Sequence, residues 1–342
     1  MRCEGIGKEG CPCPARPQTP EEILSRRLLA QTPSLGPLVG RVALAAGHDV
    51  TVLLTGETGT GKTFLARLVH ECSPRQAEPF LAVPCGALSA NLIASEFFGH
   101  VPGAFTGADR LKVGKFEAVG DGTLLLDEID TLGPKQQAAL LRVIETGEYE
   151  PVGSNETKIS RARLIVACNQ NLEEAVGRGT FRQDLYYRLN VISIAVPPLR
   201  ERVQDIGPLA RGMAARFNQK FRKDLFDIHP EAMAALESFP WPGNVRQLEN
   251  VIQHAVLVSS GPELLLEHLP QPLQEHAAQC QGQPPQADSL FRNREQVERD
   301  VIQKVLASSD YSRARAASAL GISRVTLYKK MKKYGLRERP AS

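Results

Sequence analysis

The chain has 342 residues, 42% of them hydrophobic and 23% charged, with seven cysteines, an ordinary mix for two or three folded domains. No uninterrupted apolar run approaches the ~18–20 residues that a membrane span needs, and the start lacks the apolar stretch of a signal peptide, so a cytoplasmic protein with no membrane segment is expected. The net charge of +3 conceals an asymmetry: residues 292–342 carry thirteen Lys/Arg against five Asp/Glu, and everything before them 28 against 33, so nucleic acid is expected at the basic end.

Residues 1–20 are rich in Pro, Gly and Cys and read as a disordered leader. Cys3, Cys11 and Cys13 lack a fourth metal ligand, and an odd number of cysteines spread from Cys3 to Cys280 does not make a disulfide framework, so reduced thiols are expected. An apolar strand, Val50–Leu54, then runs into Gly56-Glu57-Thr58-Gly59-Thr60-Gly61-Lys62-Thr63. This is a complete phosphate-binding loop. Its glycines let backbone N–H groups curl around phosphates, Lys62 neutralises β/γ oxygens, Thr63 offers a hydroxyl to Mg²⁺, and the next helix, Phe64–Glu71, points its positive end at the anion. ATP and Mg²⁺ are the expected ligands.

About forty residues on, Gly103-Ala104-Phe105-Thr106-Gly107-Ala108 is too small to build a core. Glycine on both sides lets the loop bend sharply and present Phe105 and Thr106 at its tip. A second apolar strand, Thr123–Leu126, ends in Asp127-Glu128, and a third, Arg163–Cys168, ends in Asn169. Continuous apolar strands are buried on both faces of a parallel sheet, and acids at their C-terminal ends lie where ligands bind. Asp127 would then hold the Mg²⁺ shell and Glu128 would polarise an attacking water.

The segment Phe181–Asn190 carries Arg182 and Arg188, which by residue type alone are surface charges. In Pro240–Asn250, a Pro-Gly-Asn turn precedes Val245, Leu248, Val251 and Ile252 at helical spacing. Asn244 is expected to cap that helix, Trp241 to lie in a core, and Arg246 to sit in the first turn. Residues 270–289, with four prolines and six glutamines, read as a linker. Three helices come next: Val297–Ala307, Ser312–Leu320, and one capped by Ser323 that runs to about Tyr334. Ala317 and Gly321 are small enough to let two helices cross closely. On the third, Leu327 and Met331 face inward, while Arg324, Thr326, Lys329, Lys330 and Lys333 face out toward a DNA major groove.

The hexapeptide at 103–108, the phosphate loop, Asp127-Glu128, Phe181–Asn190 and Pro240–Asn250 together resemble the bacterial enhancer-binding proteins, the sigma-54-dependent AAA+ activators of the NtrC type. The resemblance covers residues 21–268 nearly continuously, and Leu320–Tyr328 resembles their Fis-type helix-turn-helix. It implies an α/β AAA+ P-loop NTPase with a parallel sheet over 21–200, an α-helical lid over 201–268, a linker over 269–291 and a small all-α DNA-binding domain over 292–342.

It further implies that residues 103–108 grip the sigma-54 form of RNA polymerase and that Asn169 senses the γ-phosphate or the lytic water. Arg182 and Arg188 would reach a neighbouring subunit's nucleotide in a homo-oligomeric, hexameric ring, and Arg246 would touch the bound nucleotide from the lid. The partners are then sigma-54 polymerase holoenzyme and double-stranded upstream DNA, with no membrane.

Three departures stand out. Pro84 precedes Cys85 where the family usually has the Asn that pairs with the catalytic Glu, and Pro84 has neither an amide side chain nor a backbone N–H. Val101-Pro102 replaces a typical Glu-Lys pair at the base of the contact loop, which stiffens it. Some twenty residues before the ATPase are too few to fold a receiver domain. A DNA-binding repressor on the same fold and a different AAA+ remodelling ATPase remain the alternatives.

Overall fold

A computed structural model describes residues 20–87 and 90–281, together with Leu327 and Met331. The chain divides into two compact units, 1–274 and 275–342. In the first, α1 (Pro20–Leu29) and α2 (Val39–Gly47) lead into β1 (Val52–Thr55), α3 (Lys62–Glu71), β2 (Phe80–Pro84) and α4 (Ala90–Phe98). Next come β3 (Gly99–His100), β4 (Lys112–Val113), α5 (Lys115–Ala118), β5 (Thr123–Asp127), α6 (Pro134–Thr146), β6 (Glu148–Tyr149) and β7 (Lys158–Ile159). The α/β part closes with β8 (Arg163–Cys168), α7 (Leu172–Gly177), α8 (Gln183–Leu189) and β9 (Ile192–Ala195).

Five strands form one parallel sheet in the order β2-β5-β8-β1-β9. All six residues of β8 and the first four of β5 are buried, as the unbroken apolar runs require of strands covered on both faces. Their side chains alternate between two cores. Leu124, Leu126, Leu164 and Val166 join Phe97, Phe116, Leu140 and Leu185 on one face, while Leu125, Ile165 and Ala167 join Leu24, Val42, Leu65 and Leu68 on the other. The chain leaves β1 for the β2 edge and returns to its opposite side at β9. That reversal leaves a crevice at the C-terminal end of β1, where the phosphate loop lies.

The helical lid comprises α9 (Ile206–Phe221), α10 (Pro230–Ser238) and α11 (Asn244–Val258), with a short pair β10 (Asp227–Ile228) and β11 (Glu263–Leu264). Trp241 is wholly buried and its indole donates to Leu236 O at 2.8 Å. The expected linker is helical for half its length, since α12 spans Gln271–Gln281. Pro272 falls in the first turn, where a missing N–H costs nothing. Leu273 and Ala277, four residues apart, supply a buried stripe that composition alone hides. Of the expected DNA-binding helices, only Leu327 and Met331 are described, both helical and buried; Ser323, Arg324, Thr326, Lys329, Lys330 and Lys333 lie outside the described residues, as do Cys3, Cys11 and Cys13.

Candidate nucleotide site and contact loop

The phosphate loop turns through backbone conformations that only glycine adopts without strain. Gly61, at φ +105°, opens the N-terminus of α3, and at Gly59 an added Cβ would come within 2.5 Å of Gly243 O. Lys62 is 5% exposed, and its ammonium donates to Gly56 O at 2.6 Å, Glu57 O at 3.0 Å and Asn169 Oδ1 at 2.7 Å. Burial pushes its pKa down, against the pull of Asp127. Thr63 Oγ1 donates to Asp127 Oδ2 at 3.3 Å, and the Glu128 N–H donates to Asp127 Oδ1 at 3.0 Å. Glu128 itself sits in the left-handed region at φ 57° and ψ 45°, an uncommon backbone for a non-glycine residue. Its Oε1 accepts from Asn169 Nδ2 at 3.4 Å.

These groups line one cavity of about 230 Å³ that holds Thr58, Gly59, Lys62, Thr63, Asp127, Glu128, Asn169 and Arg246. It adjoins a second, of about 350 Å³, lined by Leu28, Leu35, Phe64, Leu65, Val196, Leu209 and Met213. Gly61, Phe64, Val245 and Glu249 border both. The second cavity is an apolar slot beside a polar phosphate site, the arrangement a nucleotide needs for base and phosphates together. Nothing in the sequence marks it, because its wall is drawn from α1, the segment after it, α3, and the lid helix α9.

The lid takes hold of the phosphate loop directly. Asn244, expected as a helix cap, is instead a buried tie at φ 50°. Its Oδ1 accepts from Leu199 N at 2.7 Å, while Nδ2 donates to Glu57 Oε2 and Thr58 O, both at 3.1 Å. The cap position of α11 falls to Gly243. Val245 N donates to Gly59 O at 2.9 Å, and the buried Arg202 donates to Thr60 O at 2.7 Å. Arg200 makes a two-pronged ion pair with Glu57, at 2.8 and 2.6 Å. Arg200 first, then Asn244, pulls the Glu57 carboxyl from its ordinary 4.5 down to about 2.

Arg182 and Arg188 sit apart from this cavity. Arg182 is exposed and chelates Asp184 at 3.0 and 2.7 Å, and Arg188 is exposed and pairs with Glu145 at 3.1 Å. Neither lines the nucleotide cavity of its own chain.

The loop at 103–108 is closed at its neck, with Gly103 N donating to Ala108 O at 2.8 Å and Ala108 N to Phe105 O at 3.0 Å. Thr106 is exposed at the tip. Phe105, expected at the tip as well, is half-buried, its ring edge-on to His100 at 5.0 Å. His100 is in turn hydrogen-bonded to Ser95 at 2.7 Å. The loop base is stitched to the turn Pro151–Ser154: Val101 N donates to Val152 O at 3.1 Å and Val152 N to Gly99 O at 2.9 Å. Ala104 presses on Gly153, where an added Cβ would come within 2.6 Å of the Ala104 methyl.

A parallel sheet with a phosphate loop, two acids and an asparagine at its strand ends, closed by a helical lid, defines an AAA+ ATPase. The sigma-54 interaction domain matches residues 28–195, the AAA+ ATPase lid domain 200–285, and the bacterial regulatory protein, Fis family, 293–334. The regulatory protein AtoC of Escherichia coli K12 is 41% identical over 312 residues, which are 90% of this chain and 68% of that protein. The transcriptional regulatory protein ZraR of Klebsiella oxytoca is 40% identical over 304 residues, 89% and 68%. Among solved structures, NtrX of Brucella abortus in complex with ADP superposes with a TM-score of 0.67 at 26% identity, covering 92% of this chain and 72% of that one. The chain belongs to the sigma-54-dependent transcriptional regulators: it is an AAA+ ATPase that binds nucleotide, interacts with sigma-54, and binds DNA through a Fis-type helix-turn-helix.

Proposed function

We propose that ATP is hydrolysed in the cavity between Lys62 and Glu128 and that the work is delivered through residues 103–108 to a closed promoter complex of sigma-54 polymerase. The observation that supports this most directly is convergence: Lys62, Thr63, Asp127, Glu128, Asn169 and Arg246, drawn from α3, the ends of β5 and β8, and α11, line one cavity. Phosphates lie against the loop N–H groups and Lys62, and the base enters the apolar slot beside Phe64 and Leu209. Glu128 accepts a proton from the attacking water and orients it, Asn169 lies between Glu128 and Lys62, and Arg246 reaches the nucleotide from the lid.

Thr63 Oγ1 and Asp127 Oδ2, two hard oxygen donors 3.3 Å apart, suit adjacent positions around Mg²⁺. The ion would neutralise charge on the phosphates. Arg182 and Arg188, exposed and outside the cavity of their own chain, act on a neighbour's nucleotide in a ring, hexameric as in the family, so that turnover depends on assembly. The DNA anchor runs from residue 292, with Ser323, Arg324, Thr326, Lys329, Lys330 and Lys333 on its groove face, and the protein works in the cytoplasm.

Thr106→Ala tests the reading. It is expected to keep ATPase activity within a few-fold of the parent and to lose open-complex formation by sigma-54 polymerase. A Thr106→Ala protein that still opens the promoter sinks the role of residues 103–108. Promoter opening without ATP points instead to a regulator that does no remodelling.

A further inference from the structure

The phosphate cavity and the apolar slot share a border of Gly61, Phe64, Val245 and Glu249. With phosphates at the loop and the base in the slot, the sugar between them has to cross that border. A ribose is amphipathic: its ring carbons gain from apolar contact, and its two hydroxyls, taken from water into a crevice, need hydrogen-bond partners. Phe64, 57% exposed, and the half-buried Val245 supply apolar flanks. Gly61 has no side chain to offer. Glu249 is the one border residue whose side chain can hydrogen-bond. An ionised carboxylate only accepts, and a sugar hydroxyl can donate to it.

Two lid helices set Glu249 for that task. Val245 and Glu249, four residues apart on α11, lie on one face of it, while Arg246 lines the phosphate cavity and not the slot. On α9, Arg216 lines the slot and not the phosphate cavity. Its guanidinium donates from Nη2 to Glu249 Oε1 at 2.5 Å and lies over the Phe217 ring at 4.9 Å. From the phosphate end to the base end, the lid thus presents Arg246, Glu249 and Arg216 in turn. An ion pair whose side chains are 58% and 41% exposed adds little to stability. What it does is fix one carboxylate oxygen and leave Oε2 for a ligand. We infer that Glu249 reads the ribose: Oε2 accepts from a sugar hydroxyl, Arg216 is the positioning residue that aims it, and the site thereby favours ribonucleotides over deoxyribonucleotides. An acid beside the sugar does the same in dinucleotide-binding sheets. The inference rests on the placement of the base in the apolar slot.

The test is binding of ADP, 2′-deoxy-ADP and 3′-deoxy-ADP to the full chain by titration calorimetry, with diphosphates chosen because they are not turned over. The parent is expected to bind ADP about tenfold more tightly than the deoxy form that lacks the hydroxyl Glu249 accepts from, the effect of one bond to a charged acceptor at a half-exposed position. Glu249→Ala, which keeps a good helix former in α11, is expected to bring that ratio to within about twofold, by weakening ADP and not the deoxy form. Arg216→Ala is expected to narrow the ratio part of the way, since Glu249 remains but is no longer aimed. Each ratio is taken within one protein, so a general loss of stability cancels from it.

A parent that binds ADP and both deoxy forms alike overturns the inference, and so does a ratio that survives Glu249→Ala undiminished. Met213→Trp probes the reading beneath it by filling the slot. ADP affinity that falls by about tenfold or more upholds the base placement. Unchanged affinity removes that placement instead, a separate failure because Glu249 and Arg216 are intact in that variant.

Discussion

Asn244→Ala should uncouple the lid from the phosphate loop. The side chain makes three hydrogen bonds, to Leu199 N, Glu57 Oε2 and Thr58 O, all within 2.7–3.1 Å and buried or half-buried. A neutral bond contributes about 1 kcal/mol net and one to a charged group about 1.5–3. Alanine also carries its Cβ into a backbone conformation at φ 50° that asparagine tolerates better, at a cost of about 1 kcal/mol. The expected loss is therefore about 4–6 kcal/mol of stability, read as a lower urea midpoint for the ATPase unit, with weaker binding of a fluorescent ATP analogue. Asn244→Asp separates the bonds from the backbone: it keeps the acceptor for Leu199 N and faces Glu57 with a like charge. The introduced carboxyl then has a raised pKa in the folded protein, so its stability contribution is present at low pH and is lost as pH rises through that folded value. A midpoint for Asn244→Ala within 1 kcal/mol of the parent, at unchanged slope, would refute the account of the tie.

Lys62→Ala and Glu128→Gln should both abolish turnover, the first by losing nucleotide affinity and the second with nucleotide trapped, separable by analogue binding. Arg200→Ala should return the Glu57 pKa from about 2 toward 4.5, measured by NMR titration; since a lowered carboxyl stabilises above its unfolded pKa and loses that contribution as pH falls, the parent should hold its fold further into acid than the variant. Arg182→Ala and Arg188→Ala, each expected to leave analogue binding intact, should depress turnover at every protein concentration, and rescue by mixing with Lys62→Ala subunits would show that the arginines act in trans. Removing residues 292–342 should abolish salt-sensitive promoter binding in a gel-shift assay and leave ATP hydrolysis in place.

The strand ends were legible because β1, β5 and β8 are buried on both faces and so write their position as apolar runs; Asp127, Glu128 and Asn169 stand at or just beyond the ends of two of them, and the glycine-rich loop that follows the third leads to Lys62. Groups whose roles depend on distant partners were not. Asn244 sits where local pattern predicts a cap, yet its partners are 45, 186 and 187 residues away. Arg200 and Arg202 look like surface charge until the lid folds back on the loop. Phe105 reads as a tip residue although its partner, His100, is near in sequence, because the contact depends on how the loop folds back on its own base. Gln271–Gln281 reads as a linker because prolines and glutamines mask a helix whose buried stripe is two residues wide.

The seam between Ala104 and Gly153 bears on how portable the hexapeptide is. With the loop base hydrogen-bonded to Val152 and its second residue pressed on a glycine at φ +82°, the six residues are half of a paired surface. An engineer who grafts residues 103–108 onto another P-loop scaffold should carry the turn 151–154 with them. Natural variation at Ala104 is constrained by position 153, some fifty residues downstream in sequence and in direct contact in space.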